Sequence, residues 1–98
     1  MSNGYQYLPG GLILQWGRHK FTPLVENTVI LPTPFINGCL SIFMTDTGGA
    51  TFPMGAAPNG TLNSFNAWVA GKAFIYNGIE YTLSSGSIIV GQYLAIGF

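Results

Sequence analysis

An all-β fold of roughly six to eight short strands, arranged as a sandwich or barrel, is what this sequence predicts. Three observations predict it. Helical periodicity is missing: alanine and leucine never recur at helical spacing over three turns, and Gly or Pro interrupts every long window. Runs of β-branched and aromatic residues, bounded by turn residues, recur about every ten positions. Charge is scarce: 6% of the 98 residues are charged and 48% are hydrophobic, where ordinary domains are about 25% charged. A soluble monomer needs more charge than this to stay apart from its copies. Much of the surface is therefore covered, by partner subunits or by a membrane.

The first run is Gly11-Leu12-Ile13-Leu14-Gln15-Trp16-Gly17. At a period of two, Leu12, Leu14 and Trp16 share one face, and Ile13 and Gln15 share the other. Pro9-Gly10-Gly11 leads in, and Gly17 is read as the turn that ends it. The second run, Asn27-Thr28-Val29-Ile30-Leu31, stops at Pro32 and Pro34. The third, Cys39 to Thr45, closes at Asp46-Thr47-Gly48-Gly49. Residues 46–64 are rich in Gly, Ala, Pro, Asn and Thr, and read as one long loop region with a short strand near Ala50-Thr51-Phe52. Ala67-Trp68-Val69-Ala70 is a weak strand. The best hairpin signal follows. Ala73 to Tyr76 and Ile79 to Leu83 flank Asn77-Gly78, a pair that supplies the positive φ angles of a two-residue type I′ turn. After Ser84-Ser85-Gly86, residues 88–98 make the last strand, with Gly91 as a bulge candidate.

Length and composition exclude several classes. At 98 residues the chain is one domain, small enough to be marginal alone. Cys39 is the only cysteine, so no disulfide forms within the chain and no oxidising compartment is required. Cys39 and His19 are too few for a zinc cluster. A membrane-spanning helix needs roughly 20 consecutive apolar residues, and the apolar runs here are short and broken. The start of the chain lacks the basic-then-apolar pattern of a signal peptide. Zero net charge argues against nucleic acid as a partner.

Three segments together resemble a known family. Gly4 to Gly17 (GYQYLPGGLILQWG) resembles the opening motif of the gp53-like C-terminal domain of phage tail fibres. Pro34 to Ile42 (PFINGCLSI) resembles its middle signature, and Tyr93 to Phe98 (YLAIGF) its closing one. Order and spacing match over essentially the whole chain. Arg18-His19-Lys20 and the Gly-Ala-Pro-rich stretch near 48–60 depart from the pattern, and no shaft precedes the motifs. The resemblance implies an antiparallel β-sandwich that assembles as a homotrimer at the tip of a fibre, on a phage or a phage-tail-like particle. Implied partners are an upstream fibre shaft and a bacterial surface glycan or lipopolysaccharide, with no membrane insertion. A structural fibre cap without a ligand of its own shares the same fold expectations.

Candidate ligand residues follow from the chemistry of sugars. Sugar rings pack C–H faces on aromatic rings, and their hydroxyls need amide or carboxylate partners. Trp68 lies between Asn63-Ser64-Phe65-Asn66 and Val69-Ala70-Gly71-Lys72, which fits that need, although core packing is an equal reading. Tyr76 and Tyr81 could extend such a surface, and Asp46 and Asn59 could bind hydroxyls or simply form turns. Arg18 and Lys20, around His19, are a solvated turn or a contact for phosphate or carboxylate. Trp16 reads as core or subunit packing. Catalysis finds no pattern. Glycosidases generally need two carboxylates about 5–10 Å apart, and Glu26, Asp46 and Glu80 are the only acids. His19 has no acid beside it, no nucleophile elbow is present, and Cys39 opens an apolar strand. No cofactor and no metal site is expected.

Overall fold

The computed structural model describes residues 3–46, 53–74, 78–83 and 87–98. Among them are nine strands: β1 (Gly4–Tyr7), β2 (Ile13–Phe21), β3 (Asn27–Ile30), β4 (Cys39–Asp46), β5 (Met54–Pro58), β6 (Ser64–Val69), β7 (Lys72–Phe74), β8 (Glu80–Thr82) and β9 (Ile89–Gly97). Seven lie in two antiparallel sheets, of order β1-β2-β9-β4 and β3-β6-β5, and β7-β8 forms a separate hairpin. The expected short strand at Ala50-Thr51-Phe52 lies outside the described residues.

The core sits between the two sheets. Ile13, Phe21, Ile89, Tyr93 and Ala95 come from the large sheet; Val29, Phe65, Ala67 and Val69 come from the small one. Phe65 meets Tyr93 edge-on, ring centroids 5.1 Å apart, so the sheets interlock across the gap. Beyond the strands, Leu31 and Phe35 close one end. That end is tied by backbone: the Ile36, Asn37 and Gly38 N–H groups all donate to the Phe98 backbone oxygen, and Phe98 N–H donates to Gly38 O. The last strand is thereby fixed to its end, as an apolar end strand requires.

Several local expectations change. Gly17 does not end the first long strand; β2 runs on to Phe21 and carries Arg18, His19 and Lys20 within the ladder to β9. Arg18 and Lys20 are strand residues on the outer face, not a turn. The buried face of β2 holds Ile13, Gln15, Gly17 and Phe21, while Leu14 and Trp16 point outward. Gln15 is buried with its Oε1 accepting Thr33 N–H at 3.0 Å, while its Nε2 has no hydrogen-bond partner among the described residues. The 46–64 loop contains β5, which pairs residue for residue with β6. Gly91 is in register with His19 and Asp46; the bulge lies in β4, between Cys39 and Ser41. In the hairpin, a two-residue loop at Asn77-Gly78 would pair Phe74 with Tyr81. The structure pairs Phe74 with Glu80, one residue further round. A slip of one residue exchanges faces, and here it puts Lys72 and Glu80 on the same face, where they form an ion pair of 2.6 Å. Both ends are exposed, so the pair contributes little.

His19 sits on the inner face of β2 with its ring 4.9 Å from that of Phe21. Burial lowers its pKa below the usual histidine value. Above about pH 6.5 the imidazole is neutral both folded and unfolded. As pH falls through that value the unfolded chain takes the proton first, so stability drops. The melting temperature is therefore expected to fall between about pH 7 and pH 5.5, and the fall should vanish in His19→Gln. Thermal melts of both proteins across that window check it.

Candidate functional site

Each tryptophan lies flat over a glycine of a neighbouring edge strand. Trp16 is paired with Gly4, and a β-carbon at Gly4 would stand 2.8 Å from the indole Cζ2. Trp68 is paired with Gly55, where a β-carbon would stand 2.6 Å from the indole Nε1. Covering an edge glycine with an aromatic ring is a known way of stabilising a strand edge. It also fixes the ring flat, one side on backbone and the other outward. What surrounds each ring then decides what it can bind.

Trp68 stands on the outer face of the small sheet among polar groups. Strand alternation puts Ser64, Asn66 and Trp68 on that face of β6, with Thr28 beside Asn66 on β3. Asn66 is the hub. Its Nδ2 donates to Glu26 Oε1 at 2.9 Å, and its Oδ1 accepts from Asn59 Nδ2 at 3.0 Å and from Thr28 Oγ1 at 3.4 Å. Asn59 Nδ2 also donates to Ser64 Oγ at 3.0 Å, and Thr61 N–H donates to Asn59 Oδ1 at 3.1 Å. The amides are thus held in fixed orientation. One oxygen of the exposed Glu26 carboxylate takes the Asn66 bond, and a carboxylate has further acceptor capacity at its other oxygen.

A groove of about 380 Å³ runs beside the ring, lined by Leu24, Val25, Glu26, Trp68, Val69 and Ala70. Its far wall is strained. Leu24 has φ 68°, a left-handed conformation that costs an L-residue roughly 1–2 kcal/mol. Leu24 N–H donates to Val69 O at 3.0 Å. Asn27 braces the turn: its Oδ1 accepts Thr22 N–H, and its Nδ2 donates to Thr22 O and Val25 O, each at 3.1 Å. Backbone strain of this kind persists only where the surrounding structure holds it, here through the Leu24 and Asn27 hydrogen bonds.

Trp16 has the opposite surroundings. On the outer face of the large sheet the ladders align Trp16, Leu94 and Phe43 in one row across β2, β9 and β4, and Leu14, Ile96 and Ser41 in the next. A shallow depression of about 320 Å³ lies over Trp16, Phe43, Thr45, Gln92 and Leu94. Arg18 and Lys20 point out at one end of this same face.

The structure therefore brings Trp68, Asn66 and Asn59 together and separates them from Arg18 and Lys20, which lie on the opposite side of the sandwich. Asn63 is exposed ahead of β6, and its carbonyl accepts Leu31 N–H; its side chain is not in the Asn66 network. Tyr76 lies outside the described residues, as do the side chains of Tyr81 and Asp46. Glu26 and Thr28 were missed by sequence reasoning. Alternation along Asn27–Leu31 points Thr28 away from Val29, but nothing local shows that Glu26 reaches a strand 40 positions on. Burial pushes the Cys39 thiol up in pKa, away from the thiolate that reactivity needs. Among the described residues no three of His, Cys, Asp and Glu gather as a metal site would require.

Comparison with known proteins gives a family. Residues 7–98 match the family described as tail fiber protein gp53-like, C-terminal. The N-truncated R2-type pyocin tail fibre superposes with a TM-score of 0.74 at 18% identity, covering 100% of this chain and 35% of that one. A C-terminal portion of the P. aeruginosa R2 pyocin fibre gives 0.65 at 16% identity, covering 99% and 26%. The N-truncated R1-type pyocin tail fibre gives 0.50 at 17%, covering 100% and 87%. This chain thus spans about a third or less of the two R2 fibre chains it matches. No curated protein matches it.

Proposed function

Because the chain belongs to the gp53-like C-terminal family of tail fibre proteins, whose place is the tail of a phage or phage-tail-like particle, we propose that it is the fibre's non-catalytic receptor-binding tip. It binds a host bacterial surface polysaccharide as a homotrimer carried on an upstream shaft. One observation carries the reading: an exposed indole fixed flat over Gly55, bordered by the Asn66–Glu26–Asn59 network and a groove walled by strained Leu24.

The chemistry suits a neutral sugar. The open side of Trp68 takes the C–H face of a pyranose ring. Glu26 accepts from its hydroxyls and the second Nδ2 hydrogen of Asn66 donates to them, both from preset positions, so little ordering remains to be done on binding. A sugar lying along the groove displaces water from Leu24 and Val25. One such contact is weak. Three copies on one tip, facing a repeating polymer, convert later contacts into intramolecular ones and raise overall affinity by about 10²–10⁴. Attachment thus needs no reaction, which fits a chain in which Glu26, Asp46 and Glu80 are the only acids.

Labelled protein is expected to coat host bacteria and to lose that binding when their surface polysaccharide is stripped. Undiminished binding to stripped cells would sink the glycan reading, and failure to bind intact cells would favour a cap without a ligand of its own.

A further inference from the structure

We propose that Glu26 is the charge filter of the Trp68 groove: it admits sugars without acidic groups and turns away those that carry a carboxylate or a phosphate. This rests on the glycan reading above and adds which class of polysaccharide that site takes. Glu26 is the one charged residue in the lining, among Leu24, Val25, Trp68, Val69 and Ala70. No cation forms an ion pair with it among the described residues. Arg18 and Lys20 stand on the opposite side of the sandwich, and the Lys72 ammonium is taken by Glu80 at 2.6 Å. The Glu26 carboxylate is also tethered beside the ring. Its Oε1 accepts from Asn66 Nδ2 at 2.9 Å, and Asn66 is held in turn by Asn59 and Thr28.

Holding an anion takes charged partners or donors that are not already used. Two main-chain N–H groups at the groove are spent: Leu24 N–H donates to Val69 O at 3.0 Å, and Ala70 N–H donates to Pro53 O at 2.9 Å. The second Nδ2 hydrogen of Asn66 is a neutral donor, suited to a hydroxyl. The indole adds to the bias, because the face of an aromatic ring carries negative charge. An acidic sugar stacked on Trp68 therefore meets a carboxylate with no cation to offset it. Two like charges about 5 Å apart, in surroundings between protein and water, disfavour binding by about tenfold per site. Several sites on one tip multiply that factor. Repulsion of the wrong partner is a general source of specificity, and here a single side chain supplies it.

Two polymers test this as competitors of labelled protein for host cells: the purified host polysaccharide, and the same polysaccharide carrying carboxymethyl groups. At about 0.01 M salt, where charges act over about 30 Å, the unaltered chain is expected to prefer the native polymer at least tenfold. At 1 M salt, where they act over about 3 Å, the preference is expected to shrink to about twofold. For Glu26→Gln the two polymers are expected to compete within about twofold of each other at either salt. Equal competition with the unaltered chain at low salt overturns the filter and leaves the glycan reading standing. A preference that survives 1 M salt or Glu26→Gln does the same, since shape or another charge would then be at work. So does competition by a native polymer that is itself acidic. Should Glu26→Gln lose cell binding altogether, the salt dependence of the unaltered chain decides. If the native polymer does not compete at either salt, the glycan reading fails and the filter with it.

Discussion

A Gly55→Val chain is expected to keep its fold and its assembly and yet lose host attachment as completely as Trp68→Ala. Valine is at home in a strand, and β5 needs no positive φ at this position. The change acts on the indole: the new β-carbon would occupy the space 2.6 Å from Nε1, and the ring must lift and tilt. Trp68 is still present, and so are Asn66, Glu26 and Asn59. What goes is the fixed plane against which a sugar ring packs. Aromatic anchors at binding surfaces commonly cost about 2 kcal/mol or more on truncation, roughly thirtyfold per site, and attachment through several sites at once magnifies that. Whole-cell binding, paired with melting curves, is the measurement. If Gly55→Val binds as the unaltered chain does, Trp68 is not the platform, whatever Trp68→Ala shows.

Strand character was legible because it is local. The runs around Leu12–Trp16, Asn27–Leu31, Cys39–Thr45 and the last ten residues are strands, and their alternation is kept except at the bulge between Cys39 and Ser41. Which alternate set faces inward was not legible. Leu14 and Trp16 look more like core than Ile13 and Gln15, yet Ile13 and Gln15 are the buried pair, and the one hydrogen bond that Gln15 makes is to Thr33, 18 residues away. Gly17 misled because glycine is read as a stop, when here it makes room: a β-carbon there would meet Asn3 Oδ1 at 2.6 Å and the Tyr93 hydroxyl at 2.8 Å. β5, Met-Gly-Ala-Ala-Pro, carries no strand signal of its own and exists by pairing along β6.

The candidate site divides in the same way. Trp68 and Asn66, two residues apart on one strand, share a face by the geometry of the strand alone, so the sequence sufficed for them. Glu26 and Thr28 join them only because β3 lies antiparallel to β6 with Thr28 opposite Asn66, a long-range pairing that no spacing rule supplies. Arg18 and Lys20 were placed with the sugar ligands because they were the only cationic cluster; the sandwich puts them behind the opposite sheet.

The largest effect on stability is expected at Phe35. The ring is 2% exposed and packs against Gly97, where a β-carbon would sit 2.5 Å from Cδ1 and also against the Gly38 carbonyl oxygen. Phe35→Ala should cost about 3–5 kcal/mol, which for a domain of this size lowers the melting temperature by roughly 12–40 °C. Gly97→Ala should cost about 1–3 kcal/mol by overpacking, because one of the clashing groups is backbone that Phe98 holds in place through its bonds to residues 36–38. The two changes share one space, so they should not add. With Phe35 already cut back, the ring half of the Gly97→Ala clash is gone and only the backbone half remains. The double variant should therefore be more stable than the sum of the single costs allows, by about 0.5–1.5 kcal/mol, the ring half of the Gly97→Ala cost. Calorimetry on all four proteins at one chain concentration reads the difference. Simple additivity would mean that the end of β9 is held by its hydrogen bonds to residues 36–38 and not by the fit of Phe35 over Gly97.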